Sequence, residues 1–187
     1  MKKALLIASV LLIAVISTAC INNIAVQELN NKAAEYMQKG DYESAMNRLQ
    51  ASLDLDSTMY ETYYNLGIAA TNAKKYDIAI DAFEKGIKIK PDKANFYYSL
   101  GVAQSAYADE MVEDTYFDTE KEETVTKKVT EEDKAKAQGM KDLAVDNLKK
   151  YLELEPDAED RATVEELIKS CEEFGKEQPE KQVVLEG

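Results

Sequence analysis

Any catalysis by this chain would have to run on carboxylates. The sequence holds 36 acidic and 23 basic side chains and no histidine, so the commonest general base and the commonest zinc ligand are both missing. Asp54 with Asp56 near a helix end, and Glu165 with Glu166, are the pairs a hydrolase would use for acid–base work. Acids this frequent on helical faces are usually solvating charges, however, and neither a P-loop nor a dinucleotide fingerprint accompanies them. The expectation is a protein that is not an enzyme and that needs no cofactor and no metal. Two sulfurs remain, Cys20 and Cys171. Cys171 shares a helical stripe with Val164, Leu167, Ile168 and Phe174, which predicts a thiol packed in a core rather than a reactive one.

The elements that would position such groups recur along the chain. Tyr63, Leu66 and Gly67 would share one helix, Ala79 and Phe83 the next, and Pro91 would close the unit. Thirty-four residues upstream lie Leu29, Lys32, Ala33 and Tyr36, then Ala45, Leu49 and Ser57, with Gly40-Asp41-Tyr42 as the turn between. Thirty-four residues downstream lie Tyr97, Leu100 and Gly101. Their second helix, with Ala144, Leu148 and Pro156, is delayed by an insertion of 31 residues. A fixed period in the low thirties means stacked helical hairpins, and these slots resemble the tetratricopeptide repeat. Lys32, Ser57 and Ala70 depart from the family's usual residues. Small residues at Gly67, Gly101, Ala45, Ala79 and Ala144 would let backbones approach, with Phe83, Leu49 and Leu148 filling the space beside them.

The resemblance implies an all-α, right-handed α-α superhelix of about three hairpins, at 26–59, 60–93 and 94–158, as one domain over 26–175. The alternative is an ordinary helical bundle. Helices are expected at about 23–39, 43–55, 60–73, 77–89, 94–112, 131–154 and 158–174. The last does not repeat the slots, and is read as a cap over the exposed core of the terminal repeat. Residues 176–187 read as a disordered tail. The insertion near 107–133 is the unusual part: residues 109–133 hold eleven acids and three bases. Thr130 followed by Glu131, Glu132 and Asp133 reads as a capped helix start. Tyr116-Phe117 and Thr124-Val125-Thr126 have strand character and suit a small hairpin. The tip is open to three readings: a solvated loop, a contact surface anchored by Tyr116 and Phe117, or a calcium site, although its acids lack EF-hand spacing.

The first twenty residues read as an address. Lys2 and Lys3 precede an apolar run from Ala4 to Ile16, too short for an ordinary membrane-spanning helix, and small residues then lead to Cys20. Ile16-Ser17-Thr18-Ala19-Cys20 resembles the bacterial lipobox, although Ser17 stands where leucine is commonest. The resemblance implies removal of residues 1–19 and acylation of Cys20. The alternative is a plain secretory signal with an incidental cysteine. A tether over 20–25 would hold the domain near the membrane, since Ile21 to Ala25 reach at most about 18 Å. The expected location is the cell envelope, facing the periplasm or the exterior. Loss of residues 1–19 removes two lysines and no acid, leaving 21 bases against 36 acids. Such acidity argues against a nucleic-acid partner and against adhesion to anionic headgroups. With Cys20 acylated, no intramolecular disulfide is left to form.

In the family that the repeats resemble, the first helix of each pair lines a groove. Helical spacing places Asn30, Ala34 and Met37, then Tyr64, Ile68 and Thr71, then Tyr98, Val102 and Ser105 in three stacked rows, flanked by Asn72 and Asn95. Such a neutral, tyrosine-bearing channel suits an extended peptide or a helix; the alternative is that Tyr64 and Tyr98 mainly pack between helices. Asn65 matches one position of the family's carboxylate clamp, but the clamp's cations are missing at Asn30, Ala34, Asn95 and Ser99. The resulting expectation is a lipid-anchored adaptor that binds a protein partner, in cell-envelope assembly. The alternatives are a structural subunit whose groove is filled by a second copy or by Val183-Val184-Leu185 of the tail, and, last, a hydrolase.

Overall fold

Asp41 ends one helix and begins the next. Gly40 takes φ +75°, a left-handed conformation that glycine adopts without steric cost, and the Asp41 carboxylate then accepts the Ser44 N–H at 3.1 Å. A hydrogen bond from the Ser44 side chain, and then this one from its N–H, hold the Asp41 carboxyl below the ordinary range. One period later the same turn falls on Lys74, which holds φ +57° with a side chain attached. The computed structural model describes residues 23–113, 115–118, 123–126 and 128–176.

Within those residues the helices are α1 (23–38), α2 (Tyr42–Leu55), α3 (Tyr60–Asn72), α4 (Tyr76–Ile89), α5 (Ala94–Val112), α6 (Glu131–Leu154) and α7 (Arg161–Glu172). Each packs against the next, and α3 also touches α5, so the hairpins stack. The fold is the all-α superhelix that the repeat implies. Residues 23–25, read as part of a tether, are helical and continuous with α1. Residues 1–22, with the address and Cys20, lie outside the described residues, as do 119–122 of the acidic tip and 177–187 of the tail. No helix among the described residues is long and apolar enough to cross a membrane.

Two clusters fill the interior. The first runs from Ala33 on α1 through Leu49 and Phe83 to Phe96 and Ala103 on α5. The second joins Ala94, Ala144, Leu148 and Tyr151 to Val164, Ile168 and Cys171 of α7, so the last helix covers the third hairpin's core. Cys171 is buried there, its Sγ 3.4 Å from Ser105 Oγ. Glycines set the closest approaches. A Cβ on Gly67 would clash with the Phe83 ring and one on Gly86 with the Phe96 ring, while one on Gly101 would meet Leu148 Cγ at 2.8 Å.

The insertion departs from the body later than its expected start. Helices α5 and α6 run alongside each other past the repeat length, so Ala108 is wholly buried and Tyr107 stacks on Tyr76 at 5.7 Å. Lys141 of α6, 3% exposed, places its Nζ 2.8 Å from both Ser105 Oγ and Asp109 Oδ1 and 5.1 Å from the Phe174 ring centroid. Beyond Val112, β1 (Thr115–Asp118) pairs antiparallel with β2 (Glu123–Thr126), Tyr116 opposite Val125. Thr130 then opens α6 with a reciprocal cap: its Oγ1 accepts the Asp133 N–H at 3.1 Å, and Asp133 Oδ2 accepts the Thr130 N–H at 3.0 Å.

Two expected outcomes follow from this packing. Gly67→Ala overpacks the Phe83 contact and lowers the urea midpoint, by roughly 1–3 kcal/mol of stability. Gly139→Ala, where a Cβ meets nothing within 4 Å, raises it by up to about 1 kcal/mol through helix propensity alone. Equal effects at the two sites would refute the role given to Gly67. Replacing residues 113–129 by a short turn leaves the melting temperature nearly unchanged, because loop closure varies weakly with length. A cut made instead from Tyr107 lowers it, since Ala108 and the Asp109–Lys141 pair are lost.

Candidate functional site

The three rows expected to line a groove are treated differently by the stacking. The first residue of the first two rows turns into the joint with the following repeat, and that of the third packs on the second helix of its own hairpin. Asn30 Nδ2 donates to Ser52 Oγ at 3.0 Å, and its Oδ1 accepts from Thr62 Oγ1 at 3.2 Å, which ties α1 to α2 and α3. Tyr64 sets its ring edge-on to Phe96 at 5.1 Å and accepts a bond from Ser99 Oγ at 3.3 Å. Tyr98 meets Tyr151 at 5.3 Å. Tyr64 and Tyr98 thus stay half-buried, each against its own joint.

The remaining members are more open. Ala34 is exposed, and Met37, Ile68, Thr71 and Val102 are half-buried. Thr71 Oγ1 and Asn72 Nδ2 bond back to the carbonyls of Gly67 and Ile68, each at 2.8 Å. Ser105 is 5% exposed, because α6 and α7 close over it and it accepts from Lys141. That burial has a tertiary cause: the terminal helix covers the last row of the stack.

Two of the expected groove residues, Tyr64 and Asn95, converge with Asn65, the residue that matched the carboxylate clamp, in an open cleft of about 540 Å³ between α3 and α5. Its apolar wall is Tyr60, Tyr64 and Phe96, and its polar rim includes Glu61, Asp92 and Glu155. The Asn65 and Asn95 amides make no hydrogen bond within the described residues, unlike those of Asn30, Asn72 and Asn147. Asp92, Lys93 and Glu155 escaped helical-spacing arguments because they come from the α4–α5 turn and the C-cap of α6. Proximity of turns to a groove edge leaves no periodic signal. The paired carboxylates read as acid–base candidates stay apart from this cleft: Asp54 takes a bond from Gln50 and Glu165 pairs with Arg161.

Electrostatics around the third hairpin bear on stability. The Tyr151 hydroxyl donates to Asp160 Oδ1 at 2.7 Å. That bond first, then burial and the Asp160 charge, pushes its phenol from 10.0 up to about 12. Tyr107 is raised chiefly by its bond to Asp77, and Tyr76 chiefly by burial.

Comparison with known proteins places this arrangement. Residues 60–93 match the tetratricopeptide repeat, and residues 33–70 match the description "TPR repeat". The small glutamine-rich tetratricopeptide repeat-containing protein 2 of Mycosarcoma maydis is 29% identical over 76 residues, which are 41% of this chain and 21% of that protein. A TPR repeat-containing protein of Schizosaccharomyces pombe is 40% identical over 50 residues, 27% of this chain and 6% of that protein. The chain therefore spans about a fifth or less of the curated relatives it matches. Among solved structures, the second TPR domain of human RPAP3 in complex with an HSP70 peptide superposes with a TM-score of 0.59 at 13% identity, over 81% of this chain and 98% of that one. The Arabidopsis OM64 TPR domain gives 0.59 at 16% identity, over 82% and 98%. The yeast Sti1 TPR2B domain, in complex with an Hsp70 peptide, gives 0.54 at 16% identity, over 80% and 98%.

The raised phenol sets a pH dependence. A tyrosine titrating higher when folded stabilises fully below its unfolded value of 10.0, and that contribution is lost as pH rises toward about 12. Thermal stability is expected to hold up to about pH 10 and fall between about 10 and 12, with a shallower fall in Tyr151→Phe. An identical alkaline limb in wild type and variant would refute the assignment.

Proposed function

We propose that this tetratricopeptide-repeat chain is a non-catalytic adaptor, tethered to a bacterial membrane through acylated Cys20, whose groove binds a peptide or helix of a protein partner in cell-envelope assembly. The observation that carries the binding half is the cleft between α3 and α5. There Asn65 and Asn95 present amides with no partner inside the described chain, beside an aromatic wall. An asparagine amide offers a donor and an acceptor, which is what an extended backbone requires. Solved neighbours of the same fold hold peptides, which supports the reading. The peptide in the RPAP3 complex, SGPTIEEVD, is acidic, whereas the rim of this cleft carries Glu61, Asp92 and Glu155, which disfavours a ligand of that charge.

The tether rests on sequence: the charged start, the short apolar run and Cys20 after small residues. Two or more acyl chains, each contributing about 0.8 kcal/mol per buried methylene, anchor firmly. Cys20→Ser is the corresponding control: it releases the protein from the membrane or leaves an unprocessed precursor, and a wild-type chain that incorporates no labelled fatty acid overturns this half.

The groove is tested with the tagged, detergent-solubilised full chain. A stoichiometric foreign protein should co-purify, and Asn65→Ala with Asn95→Ala should weaken its binding at least about tenfold. Melting should be nearly unchanged, because neither amide supports the fold. Truncation of Tyr64 or Tyr98 would be ambiguous, since both rings pack the joints. Self-association as the sole outcome would favour the structural-subunit alternative.

A further inference from the structure

The cleft has a charge of its own, and it comes from three elements that are distant in sequence. Glu61 stands in the first turn of α3, Asp92 in the α4–α5 turn and Glu155 at the C-cap of α6. All three are exposed, and none has an ion pair among the described residues. The C-terminal end of α6 adds the partial negative charge of its unpaired carbonyls. Lys93 is the one base lining the cleft, and its Nζ lies 6.0 Å from the Tyr60 ring centroid. Lys90 approaches the same ring at 5.9 Å. The Tyr60 phenol titrates above its ordinary value, first through a bond with Glu61, then through burial and the charges of Glu61 and Asp92. The three carboxylates outnumber the two ammonium groups beside Tyr60, so the cleft keeps a net negative charge, and an aromatic face there already lies within reach of cations.

We propose that the cleft between α3 and α5 receives a lysine or arginine side chain from an extended, cationic segment of the partner, with Tyr60 and Tyr64 bedding the aliphatic stem and Glu61, Asp92 and Glu155 holding the charge. This rests on the groove reading above and specifies the partner's chemistry. Long basic side chains lay their methylenes on apolar surface while the head stays with polar groups. The Asn65 and Asn95 amides are placed to take the backbone on either side of such a residue. The overall excess of acids steers a cationic segment toward the chain and repels an acidic one.

The test is selection of a displayed random nonapeptide library on the full chain, followed by affinity measurement of the selected peptides. Enrichment of lysine or arginine is expected, with binding about tenfold weaker to the Glu61→Gln, Asp92→Asn, Glu155→Gln variant. A charge-matched control, Glu84→Gln with Asp146→Asn and Glu166→Gln, changes three exposed acids elsewhere and should bind as wild type. Selected peptides without basic residues, or equal losses in variant and control, overturn the cationic anchor. If such peptides still lose affinity in Asn65→Ala with Asn95→Ala, the groove reading survives. If neither the cleft acids nor the two asparagines affect binding, or no peptide is selected, both readings fail.

Discussion

Seating of a large side chain directly on a helix backbone at three glycines is the constraint on which the rest of this structure depends. Phe83 occupies the space a side chain would take at Gly67, Phe96 that at Gly86, and Leu148 that at Gly101. Each large side chain is buried, and each removes apolar surface from water that no single hairpin could cover alone. The contacts at Gly67 and Gly101 lie within a hairpin, whereas that at Gly86 lies between hairpins. The same device therefore closes the pairs and stacks them.

The joints between repeats solve one geometric problem with different chemistry. Ser52 and Thr62 occupy the first joint, and Gly86 and Phe96 occupy the equivalent places one period later. Where the first is polar, Asn30 supplies the hydrogen bonds that two buried hydroxyls require; where the second is aromatic, Tyr64 supplies a ring. At the third, Tyr98 meets Tyr151, whose hydroxyl is satisfied by Asp160. A residue that helical spacing assigns to a binding surface is at each joint also a stacking residue. Binding and stability are thereby coupled at the cleft's inner wall, while the asparagines on its outer rim are free of that duty.

The third hairpin shows how a stack ends. Lengthened α5 and α6 carry the acidic strand pair away from the body, and a buried lysine holds their roots together. Burying Lys141 is tolerable because Ser105 Oγ accepts a hydrogen bond from its ammonium, Asp109 pairs with its charge, and the Phe174 face lies opposite. With Cys171 of α7 laid over Ser105, the described part of the stack presents no open core at that end. The cleft between α3 and α5 is thus the part of the groove that combines exposure, unengaged amides and charge.

Most of the fold was legible in the sequence because a period of 34 is a local code. Leu66, Gly67, Ala79 and Phe83 announce which faces must meet, and Thr130 with Asp133 announces where α6 begins. The hairpin of the insertion was likewise readable from Tyr116-Phe117 and Thr124-Val125-Thr126. What spacing could not decide is which members of a row stay open, because exposure depends on what the next repeat lays over them. Asn30 meets Ser52 and Thr62, and Ser105 meets Lys141, only after residues 22 to 36 positions apart are brought together. The acidic rim arose in the same way. Glu61, Asp92 and Glu155 carry no common pattern along the chain, and only the stacking of α3, α5 and the end of α6 makes them neighbours. Periodic order fixes the helices; the field of the cleft is a property of their assembly.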